Sequence, residues 1–335
     1  MNILITTVGR RTYLVEYFKE ALRGIGKLYV SNSIYTYTVS KADGFCQTPS
    51  FFDETYIPTI ISFCKEKNIS AIISLLDLDA QTLAEHKKEF DKAGIQLIVS
   101  GAEAMDICND KWKTYLFLNK IGIKQPLSFI SKDATKQAMK EGQLTYPIII
   151  KPRWGIGSFG IYKIENEQEL DVLYAKLHKD IFSTYMGRES KKDIEACIIL
   201  QQYIEGKEYG VEVLNDLKSN YVATFAKQKL AMRAGETDIA VTVDVKPFES
   251  LAKTISDGLK HIALLDMDCI MTLDGQIYIL ELNCRFGGQY PFTHNAGVNV
   301  PLQMVKWLQD EETNAQLVTQ QNGVKSCKEL VPVKI

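Results

Sequence analysis

The chain has 335 residues, of which 46% are apolar and 24% charged; this excludes disordered and fibrous classes and fits a globular protein of two or three domains. A formal net charge of −2 supplies no basic field, so a nucleic-acid partner is not expected. No apolar run reaches membrane-spanning length, so no membrane partner is expected either.

The opening MNILITTVGRR has no charge before its apolar run and reads as a first strand at 2–7, not a signal peptide. Leu14, Val15, Phe18, Leu22 and Ile25 recur at helical spacing within 12–25. KLYVSN (27–32) reads as a strand, TYIPTIISFCKEKN (55–68) as a helix with Pro58 in its first turn, and AIISL (71–75) as a buried strand. A helix over 80–92 and a strand over 95–100 complete an alternation that predicts a parallel sheet covered on both faces. A helix capped by Asn109 or Asp110 and stopped by Gly122 and Pro126 follows. Strands are expected at 146–151 and 160–164, a helix at 167–181 and a loop at 183–193. Antiparallel strands at 197–204, 208–214 and 221–231 precede an amphipathic helix at 249–265 and the strand pair CIMTL and QIYILELN. The polar segment after about 310 carries no strong signal. Seven cysteines, with no CxxC pair, read as reduced thiols in a cytoplasmic protein, and the four histidines form no HExxH.

GIGSFG (155–160) is formally GxGxxG, but the dinucleotide fingerprint needs a helix at its last glycine. Here the alternating IYKI follows, so strand, glycine loop and strand form a hairpin that folds over phosphates, or an ordinary turn. The amides of Gly155, Gly157 and Ser158 can approach phosphate oxygens, and Lys151 at the end of the preceding strand can neutralise them.

ILELNCRFGG (279–288) sets Glu281, Asn283 and Arg285 on one strand face with Ile279, and Leu280, Leu282 and Cys284 on the other. Asp274-Gly275 predicts a two-residue hairpin turn. That register places Leu273 opposite Gln276, Asp268 opposite Glu281 and Asp266 opposite Asn283. Facing carboxylates destabilise a sheet and ask for a cation between them. Magnesium suits a carboxylate pair completed by phosphate oxygens. A β-bulge would shift this register.

NDK at 109–111, IIIKPRWGIGSFG at 148–160, LQQYIEGKEYGVEV at 200–213 and LDGQIYILELNCRFGG at 273–288 together resemble the ATP-grasp superfamily, nearest to its carbamoyl-phosphate-synthase-like branch. The likeness covers about residues 1–310. It implies an α/β and α+β architecture: a Rossmann-like pre-ATP-grasp domain at 1–105, then a two-subdomain ATP-grasp domain at 106–310. Within the latter a lid-type part spans about 115–190 and a catalytic remainder about 191–310; residues 311–335 form a tail. By the same resemblance Lys111 and Lys151 hold ATP phosphates under the mobile loop of Gly155, Gly157, Ser158 and Gly160. Gln202, Tyr203 and Ile204 hold adenine, and Glu208 the ribose hydroxyls. Asp268, Glu281 and Asn283 ligate magnesium, as two ions with manganese as a substitute, and Arg285 is the catalytic arginine. Gln202 stands where many members carry glutamate, and Cys284 replaces the usual proline. AKQKLAMRAGETD (226–238) resembles a substrate-closing loop in which Arg233 binds a substrate carboxylate and Lys229 reaches phosphate. The GRR run at 9–11, Asp77 and Asp79 are further cleft candidates by position alone.

The implied activity is an ATP- and magnesium-dependent ligase that activates a small-molecule carboxylate as an acyl phosphate for attack by an amine or thiol. A homodimer is compatible with it. The alternative is a non-catalytic or regulatory ATP-binding protein on the same fold.

Overall fold

A computed structural model describes residues 1–155 and 157–334. In chain order, β1 (Asn2–Thr6), α1 (Thr12–Ala21), β2 (Lys27–Asn32), β3 (Gly44–Gln47), α2 (Tyr56–Glu66), β4 (Ile69–Ser74), α3 (Asp77–Glu85), α4 (Lys87–Lys92) and β5 (Gln96–Ile98) build a parallel sheet of order β3-β2-β1-β4-β5. Helices α5 (Ala102–Asn109) and α6 (Lys111–Lys120) lead into β6 (Ser128–Phe129), α7 (Lys132–Lys140), β7 (Ile148–Pro152), β8 (Tyr162–Ile164), α8 (Glu167–Phe182), α9 (Met186–Ser190) and β9 (Ile198–Gln202). Their strands form a small antiparallel sheet, β6-β9-β7-β8. The chain then runs through β10 (Lys207–Asn215), β11 (Tyr221–Arg233), β12 (Glu236–Thr242), α10 (Lys246–Leu259), β13 (Leu264–Met271), β14 (Ile277–Asn283), α11 (Tyr290–Asn295), α12 (Val300–Trp307) and β15 (Lys325–Cys327), giving an antiparallel sheet β14-β13-β10-β11-β12-β15. The expected parallel-then-antiparallel architecture is observed. Among the described residues no helix is long and apolar enough to cross a membrane.

Apolar faces explain the arrangement. The first and last sheets share two cores: Leu4, Ile72, Val211, Leu265 and Leu282 pack in one, and Ile3, Ile5, Leu214, Leu264 and Phe286 in the other. The small sheet has its own core, with Ile148, Ile150, Leu177 and Leu200. Strand β14 is thereby held against α5 and the parallel sheet.

Several elements differ from expectation for local reasons. The helix expected over 80–92 breaks at His86, leaving α3 and α4. The helix expected over 249–265 stops at Leu259, because Lys260 turns left-handed at φ 51°, and Leu264 and Leu265 enter β13 instead. Their apolar spacing continues the helical pattern, which conceals the break. The loop expected at 183–193 contains α9, and β3, α5 and β12 carry too weak a periodicity to be read. The polar end is structured: β15 adds to β12, and Gln320 hydrogen-bonds both Ala226 N and Ala226 O.

His261 sits fully buried where that helix fails. Its Nε2–H donates to Val213 O at 3.1 Å and its Nδ1 lies 3.4 Å from Asn215 Nδ2. Burial pushes its pKa down from 6.5 to about 4. The unfolded state therefore binds the extra proton first, so stability is full above pH 6.5 and falls as pH drops from 6.5 to about 4. The expected loss is about 3 kcal/mol. Urea unfolding of His261→Gln should show a shallower pH slope across that window than the unmodified chain.

Candidate active site

The hairpin of β13 and β14 brings Asp268 opposite Glu281 and Asp266 opposite Asn283, the pairs expected. The route to that register differs from the expected one. Gly275 N donates to Thr272 O, and Thr272 N to Gln276 O, so the loop holds three residues, Leu273-Asp274-Gly275, with Gly275 at φ 81°. The nearest pairs, Met271–Ile277 and Cys269–Ile279, are consequently one residue out of the two-residue register. A bulge at Leu280 restores the expected pairing beyond it, where Ile279 N turns to Lys124 O at 3.0 Å. The bulge also exchanges two side chains. Ile279 joins Leu282 and Cys284 in the core instead of sharing the polar face, and Leu280 is left out of the core.

Around this pair the charges interlock. Lys229 Nζ lies 2.8 Å from Asp268 Oδ1 and 4.0 Å from Glu208, and Lys111 Nζ lies 3.8 Å from Glu281. Gln289 Nε2 donates to Asp266 and, at 3.2 Å, to Asp268. Burial, with Asp268 and Glu212 nearby, raises Asp266 to about 7. Arg285 Nε donates to Asp77 Oδ2 at 2.7 Å, and its NH2 to Asn283 Oδ1 at 3.3 Å. Its carboxylate partners hold its pKa above the usual arginine value despite burial. A cavity of about 250 Å³ is lined by Arg11, Lys229, Asp268, Glu281, Asn283 and Arg285. A Cβ on Gly287 would fall 2.0 Å from Asp266 Oδ2, so any larger residue there would displace that carboxylate.

The glycine loop reaches the rim of the same cavity. Gly157, Ser158 and Gly160 all have positive φ; Ile156 lies outside the described residues. Gly157 and Ser158 line the cavity, and Ser158 Oγ lies 3.4 Å from Gly235 O at the tip of the β11–β12 hairpin. Lys111 Nζ donates to Gly155 O at 2.8 Å. Lys111 follows Asp110, whose carboxylate caps α6 at Trp112 N and Lys113 N and takes a two-pronged bond from Arg153 at 2.7 Å to each oxygen. Lys151 is buried, and burial plus the neighbouring Lys111 lowers its pKa to about 8. Gln202 ends β9, where its N–H donates to Leu127 O and its Oε1 accepts from Leu127 N. Tyr203 is partly exposed beneath Lys163, Ile204 is buried, and Glu208 lies half-exposed on β10.

Arg233 is not brought together with these groups. It sits at the end of β11, paired with Asp238 and donating to Lys328 O at 3.1 Å, outside the lining of the cavity. Arg11 lines the cavity instead, and its NH1 donates to Leu75 O at 2.6 Å and Phe286 O at 2.9 Å. Asp77 enters as the anchor of Arg285. Asp79 does not reach the cleft: the hydroxyls of Thr6, Thr7, Tyr56 and Ser74 all donate to it, making it a buried knot at the strand ends. Gln289 and Glu236, which also line the cavity, have no sequence signal that singles them out, since each acquires its neighbours only through the fold.

Residues 3–98 match the PylC-like N-terminal domain family, and residues 108–289 match the ATP-grasp domain family. The chain is 21% identical over 253 residues to the arginine-specific large chain of carbamoyl phosphate synthase from Bacillus subtilis, covering 72% of this chain and 22% of that one. It is 24% identical over 232 residues to the carbamoyl phosphate synthase large chain of Methanothrix thermoacetophila, covering 65% of this chain and 20% of the other. It thus spans about a fifth of the length of these curated relatives. Biotin carboxylase from Campylobacter jejuni, solved as a β-γ-ATP complex, superposes with a TM-score of 0.77 at 18% identity, covering 97% of this chain and 75% of that chain. The L-amino acid ligase from Bacillus licheniformis superposes at 0.75 with 17% identity, covering 99% and 81%. At these identities the structural likeness establishes the fold alone. The second domain match takes in more than half of the chain, and on that ground the chain belongs to the ATP-grasp family.

Proposed function

We propose that the chain is an ATP- and magnesium-dependent ligase, which phosphorylates a substrate carboxylate and passes the acyl group to an amine or a thiol. The observation that carries this reading is the cross-strand pair Asp268–Glu281, with Asn283 and Arg285 beside it under the glycine loop. The two carboxylates and the amide oxygen of Asn283 are hard oxygen donors and fit magnesium or manganese. Among the described residues no three His, Cys, Asp or Glu side chains gather into a cage sufficient by itself. Phosphate oxygens and water would therefore complete the shell of either ion. A bound ion neutralises charge on the transferring phosphoryl group.

The chain's own groups supply position and electrostatics. Lys111 and Lys151 hold phosphate oxygens, and Lys111 also tethers the loop through Gly155 O. The N–H of Gln202 is already committed to Leu127, so adenine contacts fall to the backbone of Tyr203 and Ile204; Glu208 takes the ribose hydroxyls. Arg285, oriented by Asp77, directs its cation at the oxygen that gains charge. The hairpin tip at Gly235 meets the glycine loop at Ser158 and excludes water from the acyl phosphate.

An ADP-release screen pairing small carboxylates with amines tests this. Release that requires magnesium, an acid and an amine together is the expected result. One observation favours the second reading, an ATP-binding protein without turnover: Lys229 and Lys111 already balance Asp268 and Glu281. Tight nucleotide binding with no release for any pair would select it.

Lys151 gives a separate test. With its pKa near 8, it is largely neutral at pH 9 in the free protein, and a phosphate beside it raises that pKa. ATP binding at pH 9 should take up on the order of one proton, and affinity should fall as pH rises past 8. Calorimetry at pH 9 in two buffers of different ionisation enthalpy measures the uptake, which Lys151→Met should remove.

A further inference from the structure

A second cavity, of about 370 Å³, opens at the carboxyl ends of the parallel strands. Its volume is within the range of small-molecule sites, and ligands commonly bind outside the carboxyl ends of such strands. Arg11 and Leu76 line both this cavity and the one holding Asp268 and Glu281, so the two share a wall. The lining has one distinctive chemical property: it contains two arginines, Arg10 and Arg11, and no acidic side chain. No carboxylate pairs with either arginine among the described residues; Arg11 spends NH1 on two backbone carbonyls, and Arg10 is exposed. Arg11 also stands beside Arg285, and burial with that like charge lowers its pKa. Arg285 is already paired with Asp77, but the guanidinium groups of Arg10 and Arg11, which have no carboxylate partner among the described residues, favour an anion. The remaining walls mix apolar Val8, Pro49 and Phe51 with neutral polar Asn32, Ser33, Thr48 and Ser50.

We propose that this cavity binds the amine substrate, and that this amine carries an anionic group held by Arg10 and Arg11 while its nitrogen reaches past Leu76 toward Arg285. The proposal rests on the ligase reading above. In the step it serves, the neutral amine nitrogen attacks the acyl phosphate carbon. The C–N bond forms, the C–O bond to phosphate breaks, and the nitrogen's proton leaves with inorganic phosphate. The ligand class is an acidic amine: an amino acid or an amino-alkyl phosphate.

Binding to the full chain is measured by calorimetry without ATP, using L-leucine and O-phosphoethanolamine as acidic probes and L-leucinamide and ethanolamine as controls. At least one acidic probe is expected to bind tenfold or more tightly than its control, and the tighter acidic probe identifies the anion. Arg10→Ala, at an exposed position, and Arg11→Lys should each weaken it about tenfold or more. No acidic probe exceeding its control, or Arg10→Ala binding as the unmodified chain does, overturns the proposal. ADP release separates the two ideas. Equal turnover with L-leucine and L-leucinamide leaves the ligase and removes this site; Arg10-dependent binding with no ADP release for any pair leaves the site and removes the ligase.

Discussion

Glu281→Gln is expected to lower turnover by at least about 10²–10³-fold with little change in stability. The residue is suited to the test because its structural duties are small. Its side chain is 30% exposed and its one ion pair among the described residues, to Lys111, is 3.8 Å long, so the pair contributes little to folding. Glutamine preserves the shape of the strand beyond the bulge at Leu280 and keeps one oxygen, but removes the negative charge. If the proposed ion lies between Asp268 and Glu281, saturating magnesium should recover only part of the lost rate. Asp268→Asn offers an instructive contrast. Removing that charge also releases Lys229 from its 2.8 Å partner, which disturbs a second phosphate-binding candidate, so ATP affinity and turnover should fall together. Steady-state kinetics over a magnesium titration read both variants. Full ADP release by Glu281→Gln, with unaltered magnesium dependence, would place the ion elsewhere.

How this strand pair could be read in advance shows where sequence reasoning works. The carboxylate pairing was legible because strand alternation and an Asp-Gly turn are both local. It came out right through two departures that cancel: a three-residue loop shifts the register one way and the bulge at Leu280 shifts it back. Nothing local announces that bulge, since it forms where Ile279 N leaves the ladder for Lys124 O, more than 150 residues earlier in the chain. The parallel sheet was legible for a similar reason: continuous apolar runs such as ILIT and AIIS must be covered on both faces. Arg285 was legible as a cation on the polar face of the strand, yet its partner Asp77 lies 208 residues away and only the shared core of the two sheets brings them together. Arg11 and Arg233 mark the limit. Both are arginines beside plausible loops, and chain position alone cannot show that one faces the cavity while the other is tied to Asp238.

Lys227→Met is expected to destabilise the protein by about 3–5 kcal/mol, a fall in Tm of roughly 4–7 °C. Lys227 reads from the sequence as an ordinary polar residue of an alternating strand, but it is completely buried. Its Nζ lies 2.6 Å from Glu212 Oε2, and both side chains have 0% exposure. Thr293 Oγ1 also donates to Glu212 Oε2, whereas Glu212 Oε1 has no partner among the described residues. Glu212 pairs across the ladder with Asp266, itself two residues from Asp268, so the ion pair lies directly beneath the candidate site. Removing the lysine leaves a buried carboxylate without a counter-charge next to a second carboxylate. Glu212 must then take up a proton or draw in water, and either response is costly in a packed sheet. Glu212→Gln in the Lys227→Met background removes the stranded charge and should recover a substantial part of the loss, because breaking one side of a buried pair costs more than replacing both. Urea or thermal unfolding of the two single variants and the double variant completes the cycle. Equal stability of Lys227→Met and the double variant would mean that a stranded charge on Glu212 does not account for the loss.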